Sequence, residues 1–200
     1  KPSKKFYDPK EYVNRPQLNF LAPQALNFFK EFFEKNSNFK GNILEIGAGD
    51  TMLYNLLKKK CKSYTIIDPI TKNYKDKKLE IFQSEFEKFS FEKTTKKFDY
   101  IILSNVIEHL ENPHKTLMKV LDNINEKAKL FIEVPLTNLL IKNLRYDQIF
   151  FQHISYFSNN SIRALANKLN LKISKRQINF KHWGGTILFT MERKKQASKL

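Results

Sequence analysis

The chain contains few residues of the types that crosslink proteins or anchor them in membranes. Its 200 residues include one cysteine, Cys61, and one tryptophan. A single cysteine excludes an internal disulfide and a cysteine-based zinc cluster, which makes a reducing cytoplasm the expected setting. No apolar run approaches the roughly 18 residues of a membrane span. No apolar stretch follows the basic residues 1–10 in the way that a signal peptide requires. These absences predict a cytoplasmic protein with no membrane partner.

Arginine is scarce, although positive charge is abundant. The formal net charge is +16 at pH 7, but only five of the 36 basic residues are arginines. A basic surface is typical of nucleic-acid binding, whereas bidentate recognition of phosphates and bases favours arginine over lysine. The lysines are also spread along the whole chain. The charge pattern therefore favours a solvated, lysine-rich surface and a small anionic substrate, with a nucleic-acid substrate as the less favoured alternative.

Apolar runs of strand length are followed by segments with helical periodicity. The predicted strands are residues 42–46, 63–68, 79–82, 98–103 and 129–134. The predicted helices are residues 22–35, 52–60, 113–126 and 159–170. The nearly continuous apolar character of the fourth run is typical of a parallel strand covered on both faces. The pattern predicts an α/β fold.

Two closely spaced glycines follow the first predicted strand. Gly47 and Gly49 would let the backbone approach a ligand, since neither carries a Cβ, and Glu45 and Asp50 are acceptors for cationic or hydroxyl groups. The acidic residues do not suit a pyrophosphate. Asp68 lies about 20 residues further on, where a doubly wound sheet places the carboxylate that binds a ribose diol. The turn therefore predicts a binding site for a nucleoside-containing ligand.

The segment from Glu45 to Asp50, together with Asp68 and the run Phe98 to Leu110, resembles the class I S-adenosylmethionine-dependent methyltransferases. The resemblance covers about residues 40–190. It implies a single doubly wound, Rossmann-like α/β domain over 1–200, with a mostly parallel sheet and an antiparallel C-terminal strand pair. Within it we expect an N-terminal arm (1–20), a cofactor-binding half (40–135) and an acceptor-binding half (136–192).

The resemblance also implies which residues bind the cofactor, S-adenosyl-L-methionine. The glycine turn would hold its methionine part, and Asp68 its ribose hydroxyls. The adenine amine would meet either Ser84 or Glu85, and the sequence leaves both open. The full expected set is Glu45, Gly47, Gly49, Asp68, Ser84, Glu85 and Asn105.

Residues 145–158 and 182–186 resemble the C-terminal part of sugar C-methyltransferases of the deoxysugar type. In those enzymes a segment containing Tyr-His-Glu-His presents its last histidine to the acceptor. His153 matches that histidine, while Phe150 replaces the tyrosine and Gln152 the glutamate. The resemblance implies that His153 is catalytic, with His109 as the second candidate. The substrate-binding candidates are Tyr146, Gln152, Tyr156 and His182.

The role of His153 has two interpretations at this stage. It could act as the general base that removes a proton from an acceptor hydroxyl, or it could only hydrogen-bond the backbone. The four histidines are scattered along the chain, a spacing that predicts no metal site.

The sequence predicts a methyltransferase acting on a small anionic or sugar-derived metabolite, with capsule or surface-polysaccharide biosynthesis as the expected role. Hydroxyl oxygen is favoured as the acceptor atom, because the groups expected for carbon methylation are replaced. Carbon methylation of a keto-sugar, RNA methylation and a catalytically silent cofactor-binding protein are the alternatives. The oligomeric state stays open.

Overall fold

The computed structural model describes residues 16–72, 74–149, 151–180, 182 and 184–195, with side chains from residue 26 onward. The α-helices are α1 (Pro16–Asn36), α2 (Met52–Leu57), α3 (Pro113–Leu121), α4 (Thr137–Lys142) and α5 (Asn159–Lys168). The strands are β1 (Asn42–Ile46), β2 (Ser63–Ile67), β3 (Leu79–Phe82), β4 (Phe98–Ser104), β5 (Ile124–Pro135), β6 (Leu171–Asn179) and β7 (Thr186–Arg193). Short 3₁₀ helices include Ile107–His109 and Tyr146–Gln148.

The seven strands form one sheet in the order β3-β2-β1-β4-β5-β7-β6. Strands β1 to β5 pair in parallel, whereas β7 is antiparallel to both of its neighbours. The strand order reverses between β1 and β4, and ligands of open α/β sheets bind at the carboxyl ends of the strands near such a reversal. This topology confirms the predicted doubly wound sheet with its antiparallel C-terminal pair.

Aromatic residues build the core on the face of the sheet covered by α1 and α2. Phe33 of α1 packs edge-on against Phe131 of β5, with ring centroids 5.2 Å apart. Phe39 lies 5.1 Å from the same ring. The opposite face is mainly aliphatic and is covered by α3 and α5, for example through Leu117 and Ile162. Both faces are therefore buried, which explains why the parallel strands are almost entirely apolar.

Side-chain caps define where two of the helices begin. Asn112 accepts a hydrogen bond from Lys115 N, and Pro113 occupies the first helical position of α3. Ser158 and Ser161 form a capping box at the start of α5. Asn112 follows the end of β4, and Phe157, next to Ser158, bridges to Leu136 at the end of β5, so both helices begin close to the carboxyl edge of the sheet.

Several predicted boundaries were wrong. The third helix ends at Leu121 rather than Glu126, because Ile124 already pairs with Phe98 as the first residue of β5. The fifth strand accordingly begins five residues earlier than predicted. The first helix begins at Pro16 rather than at residue 22, and residues 1–15 lie outside the described residues, so the expected N-terminal arm stays a prediction. In the described part of the chain, no helix combines the length and apolarity needed to cross a membrane.

Candidate active site

The turns after β1 and β4 lie side by side at the carboxyl edge of the sheet. Gly47 and Gly49 both have a φ of +68°, a conformation that favours glycine. A Cβ on Gly47 would lie 2.6 Å from Cγ2 of Val106, so this turn packs tightly against the segment after β4. A Cβ on Gly49 would meet no atom within 4 Å. Gly47 is therefore constrained by packing as well as by its φ, whereas Gly49 faces open space.

Asp68 connects the end of β2 to the glycine turn. Its Oδ2 accepts a hydrogen bond from Gly49 N at 3.1 Å. Its Oδ1 accepts three, from Ile70 N, Thr71 N and Thr71 Oγ1. Because a carboxylate offers about four acceptor positions, the capacity that remains for a ligand lies on Oδ2. The residue expected to bind ribose thus also organises both turns.

Glu45 points into the core between the turns. Its Oε2 accepts a hydrogen bond from the Tyr64 hydroxyl at 2.7 Å. Burial, opposed by the hydrogen bond from Tyr64 and assisted by the charges of Asp50 and Asp68, raises the pKa of Glu45 to about 8. The carboxyl group is thus held mainly in its neutral form at neutral pH, and a nearby cation would favour its ionised form.

The two adenine candidates both follow β3. The Ser84 hydroxyl donates to the main-chain carbonyl of Glu85 at 3.0 Å, and the Glu85 carboxylate forms an exposed ion pair with Lys88. The choice between Ser84 and Glu85 stays a prediction.

Asn105 adopts a left-handed conformation, with a φ of +53°, directly after β4. Its side-chain Nδ2 donates to Oε2 of Glu133 at 3.3 Å, and its main-chain N donates to the Glu133 carbonyl. The side-chain Oδ1 is buried and has no hydrogen-bond partner. A strained residue with an unsatisfied acceptor beside the glycine turn is typical of a ligand-binding position.

Glu133 is a buried polar residue that the sequence analysis missed. Ser104 and Thr186 each donate a hydroxyl hydrogen bond of 2.7 Å to its carboxylate, and His182 Nδ1 lies 3.3 Å from it. Burial alone would raise the pKa of Glu133, but these hydrogen bonds and the charge of His182 hold it below its ordinary value. The sequence signal that could have revealed Glu133 is a glutamate inside the apolar run of β5, because a buried carboxylate requires hydrogen-bond or charged partners.

His182, a predicted substrate-binding residue, therefore lies against Glu133. Its side chain is 11% exposed. The contact joins the loop before β7 to the end of β5 and gives His182 a structural partner. Substrate binding by His182 stays a prediction.

The segment after α4 is tied to the 3₁₀ helix after β4 by three hydrogen bonds. The main-chain N–H groups of Ile154 and Ser155 both donate to the carbonyl of Glu108. In return, His109 Nδ1 donates to the carbonyl of Gln152 at 2.8 Å. These bonds bring His153, 44 positions away in the sequence, next to His109.

The two predicted catalytic histidines thus lie together. Their ring centroids are 4.9 Å apart at an interplanar angle of 57°. His153 Nδ1 donates to the carbonyl of Gln148 at 3.1 Å. Burial, and next the charge of His109, lowers the pKa of His153 to about 4, and burial also lowers the pKa of His109. Both imidazoles are therefore neutral at neutral pH.

Glu108 completes this group and was not predicted as a site residue. It is 1% exposed, and neither carboxyl oxygen has a hydrogen-bond partner. Burial, opposed by the residue's own main-chain N–H and assisted by the nearby charge of Glu133, raises its pKa to about 8. One donor atom from each of Glu108, His109 and His153 lies within 4.8 Å of the others. We call these three residues the Glu-His-His cluster.

Aromatic side chains flank the cluster on the solvent side. The Tyr156 ring lies 6.1 Å from that of His153 in an edge-to-face contact. Tyr156 and Tyr146, two of the predicted substrate-binding residues, also line a small apolar cavity of about 140 Å³ with Ile149. Tyr146 and Ile149 are both more than 60% exposed. Gln152 contributes its carbonyl to His109. Phe150 lies outside the described residues.

The comparison with known protein families identifies the class. A family model described as a methyltransferase domain matches residues 18–175 of the 200. The chain therefore belongs to this family, and the predicted class I S-adenosylmethionine-dependent methyltransferase is confirmed as its class.

Among characterised relatives, the C-methyltransferase NovU from Streptomyces niveus is 31% identical over 81 residues. That match spans 40% of this chain and only 19% of NovU.

Solved structures show the same fold. The N-methyltransferase NodS from Bradyrhizobium japonicum WM9, in complex with S-adenosyl-L-homocysteine, matches with a TM-score of 0.62 and 15% identity, over 91% of this chain and 90% of NodS. The magnesium protoporphyrin IX methyltransferase from Synechocystis PCC 6803, also with bound S-adenosyl-L-homocysteine, matches with a TM-score of 0.66 and 12% identity, over 86% and 83% of the two chains.

Proposed function

We propose that this protein transfers a methyl group from S-adenosyl-L-methionine to a hydroxyl oxygen of a small anionic or sugar-derived metabolite. The observation that carries the proposal is the Glu-His-His cluster, which adjoins the glycine turn at the carboxyl edge of the sheet. Val106 packs against Gly47 and precedes Glu108 by only two residues. A proton-accepting group therefore adjoins the turn where this family holds its cofactor.

The residues at the edge fit the cofactor's chemistry. Asn105 Oδ1 is a buried acceptor without a partner, suited to an ammonium or amide donor. Gly49 leaves open space beside the turn. Asp68 Oδ2 retains acceptor capacity for a ribose hydroxyl, and a nearby cation would favour the ionised form of Glu45. We assign these residues to the cofactor. When bound, it supplies an electrophilic methyl group on a sulfonium.

His153 is the residue that we assign to remove the acceptor's proton. The hydrogen bond to Gln148 requires a proton on Nδ1, because a carbonyl oxygen only accepts. The lone pair of the neutral ring is then on Nε2. During transfer, in which the sulfur–methyl bond would break and S-adenosyl-L-homocysteine would be released, His153 would accept the hydroxyl proton at Nε2 and later pass it to solvent. The lowered pKa keeps the ring neutral, although it also reduces the driving force of this transfer.

The surface around the cluster suits a small amphipathic acceptor. Tyr146, Ile149 and Tyr156 provide an apolar and aromatic wall, while His109 and His153 provide the few polar groups that orient a ligand in such sites. The large excess of lysine would attract an anionic metabolite by long-range electrostatics. A sugar nucleotide or sugar phosphate has both properties. We extend the proposal to a cytoplasmic role in capsule or surface-polysaccharide biosynthesis.

Carbon methylation of a keto-sugar is the second candidate. It is favoured by the similarity to NovU, a C-methyltransferase. Gln152 weighs against it, since an amide in place of the glutamate cannot raise the basicity of the neighbouring imidazole.

Incubation with ¹³C-methyl-labelled cofactor and pooled sugar nucleotides and phosphorylated metabolites tests the proposal. We expect one metabolite to gain one labelled methyl group by mass spectrometry. The ¹³C shift of the product distinguishes an O-methyl from a C-methyl carbon. Transfer only to added RNA, or to no member of the pool, would contradict the proposal.

A further inference from the structure

The Glu-His-His cluster has features that proton transfer to a histidine does not require. Glu108 is buried to 1% exposure and has no hydrogen-bond partner for either carboxyl oxygen. An ionised carboxylate in such a place is strongly disfavoured unless a cation compensates it. A merely structural residue at this position would be an apolar side chain of similar size. The unsatisfied carboxyl group therefore requires a functional explanation.

Both histidines are held in the tautomer that metal ligation uses. His109 Nδ1 donates to the carbonyl of Gln152, and His153 Nδ1 donates to the carbonyl of Gln148. Each Nε2 therefore carries the lone pair. Histidines that ligate metals commonly donate their other ring N–H to a backbone carbonyl, which sets the tautomer and the ring orientation. The same arrangement is present on both rings.

The side chains of the three residues converge. One ligand atom from each of Glu108, His109 and His153 lies within 4.8 Å of the other two. Ligands at about 2.1 Å from a common ion lie roughly 3 to 3.5 Å apart, so shifts of about 1 Å close the set. The scattered positions of the histidines in the sequence argued against a metal site. They do not prevent one, because the fold brings His153 next to the adjacent residues Glu108 and His109.

We propose that Glu108, His109 and His153 form a binding site for a divalent transition-metal ion. Two imidazoles and one carboxylate on one side of an ion favour zinc, cobalt, iron or manganese over magnesium, which prefers oxygen ligands. Three protein ligands leave coordination positions open.

The ring of Tyr156 lies 6.1 Å from that of His153, so the region assigned to the acceptor would adjoin the ion. An acceptor hydroxyl that coordinates the ion would become more acidic, as metal-bound water does. In the metal-loaded protein His153 would then act as a ligand and the hydroxyl proton would leave to solvent, whereas the role of base assigned to His153 above applies to the metal-free protein. This role of the ion rests on the proposed methylation of oxygen, whereas the binding of the ion does not.

Binding is tested with protein stripped by a chelator and titrated with Co²⁺. We expect one equivalent to bind, with d–d absorption bands typical of histidine and carboxylate ligands, and Zn²⁺ to displace it. Mg²⁺ in millimolar amounts should not compete. Glu108→Gln, His109→Asn and His153→Asn should each weaken Co²⁺ binding at least about a hundredfold. His114→Asn, at an exposed position on α3, is the matched control and should bind as the wild type does.

Stability distinguishes a lost ligand from a damaged fold. Because the buried Glu108 carboxyl lacks partners, Glu108→Gln should melt at or above the temperature of the metal-free wild type while failing to bind Co²⁺. Absence of stoichiometric Co²⁺ or Zn²⁺ binding by the wild type, or equal binding by the folded Glu108→Gln variant, would overturn the site.

Methyl transfer is measured separately, on stripped and on Zn²⁺- or Mn²⁺-reloaded protein. We expect stripping to reduce the rate at least tenfold and reloading to restore it. Full activity of the stripped protein would overturn the role of the ion in positioning the acceptor and would favour His153 as the base. Failure of both forms to methylate any metabolite would refute the proposed function alone, because the Co²⁺ titration decides the site independently.

Discussion

The ring N–H of His109 donates to the main-chain carbonyl of Gln152 across 2.8 Å. Together with the two N–H groups that bind the Glu108 carbonyl, this bond attaches the segment after α4 to the end of β4. His153 follows Gln152 directly, so its position relative to His109 is set by these three bonds as well as by the hydrogen bond from its own Nδ1 to the Gln148 carbonyl. Because the three bonds do not involve the His153 side chain, a substitution of His153 should leave the loop in place.

We expect His153→Asn to lower kcat by about 10² to 10⁴, the range for loss of a general base. Affinity for S-adenosyl-L-homocysteine should stay close to that of the wild type, because the residues that we assign to the cofactor lie on other turns. Steady-state kinetics and calorimetry measure the two quantities. His114→Asn is the control for the loss of a histidine and should leave kcat unchanged. Full activity of the His153 variant would give this residue a structural role.

Asp68→Ala should weaken binding of S-adenosyl-L-homocysteine at least about tenfold, since a hydrogen bond to a charged group contributes roughly 1.5 to 3 kcal/mol. Because Oδ1 also binds Ile70 N and Thr71 N, the variant should lose some stability as well. Titration calorimetry below the melting temperature separates the two effects. Asp122→Ala, at an exposed position after α3, serves as the control. Unchanged affinity in a folded Asp68 variant would place the ribose elsewhere.

The two turn glycines should respond differently to substitution. Gly47→Ala places a Cβ 2.6 Å from Val106 at a φ of +68° and should reduce both stability and cofactor affinity. Gly49→Ala meets no protein atom within 4 Å, so its stability should fall only by backbone strain of about 1 to 2 kcal/mol, while its Cβ should enter the space assigned to the cofactor and weaken cofactor binding. Thermal melting and calorimetry test the pair. If Gly49→Ala remains folded and binds S-adenosyl-L-homocysteine normally, the open space beside Gly49 is not part of the cofactor site.

Glu45 should make stability depend on pH. Its pKa of about 8 in the folded protein exceeds the value of about 4.3 for an unfolded glutamate. Between these values the folded state binds more protons, so the free energy of unfolding should fall as pH rises from about 4.3 to 8. Glu45→Gln removes this dependence and should be more stable than the wild type at pH 8, with a smaller difference at pH 5. Urea denaturation across this range tests it, with the exposed Glu126→Gln as control. A pH-independent difference would refute this assignment.

Glu133→Ala should destabilise the protein by about 3 to 5 kcal/mol, as expected when one partner of a buried charged network is removed. The hydroxyls of Ser104 and Thr186 would lose their acceptor. The lowered pKa implies that the stability contributed by Glu133 is present above the unfolded pKa of about 4.3 and is lost as pH falls through the folded value. Chemical denaturation at pH 7 measures the loss. The exposed Glu126→Ala should change stability by less than about 0.5 kcal/mol, and an equal effect of both variants would contradict the network.

The glycine turn shows why part of the site was predictable. Gly47 and Gly49 need a left-handed backbone, Asp68 follows the next strand, and parallel strands bring their carboxyl ends to one edge. These constraints are local or follow from the topology, so pattern and composition suffice to find them. Strand lengths were less predictable. The early start of β5 at Ile124 depends on its pairing with Phe98, a contact between separate segments.

Glu108 and Glu133 were missed because their significance depends on burial. A glutamate beside a histidine in a loop is usually solvated, and the sequence does not show that both Glu108 oxygens lie in the interior. The sequence by itself determined the doubly wound fold, the glycine turn and the two candidate histidines. These features depend on glycine conformation, strand periodicity and residue chemistry, which are properties of local segments. The tertiary structure alone decided that Glu108, His109 and His153 form one cluster, because only the hydrogen bonds between two distant loops bring their side chains together.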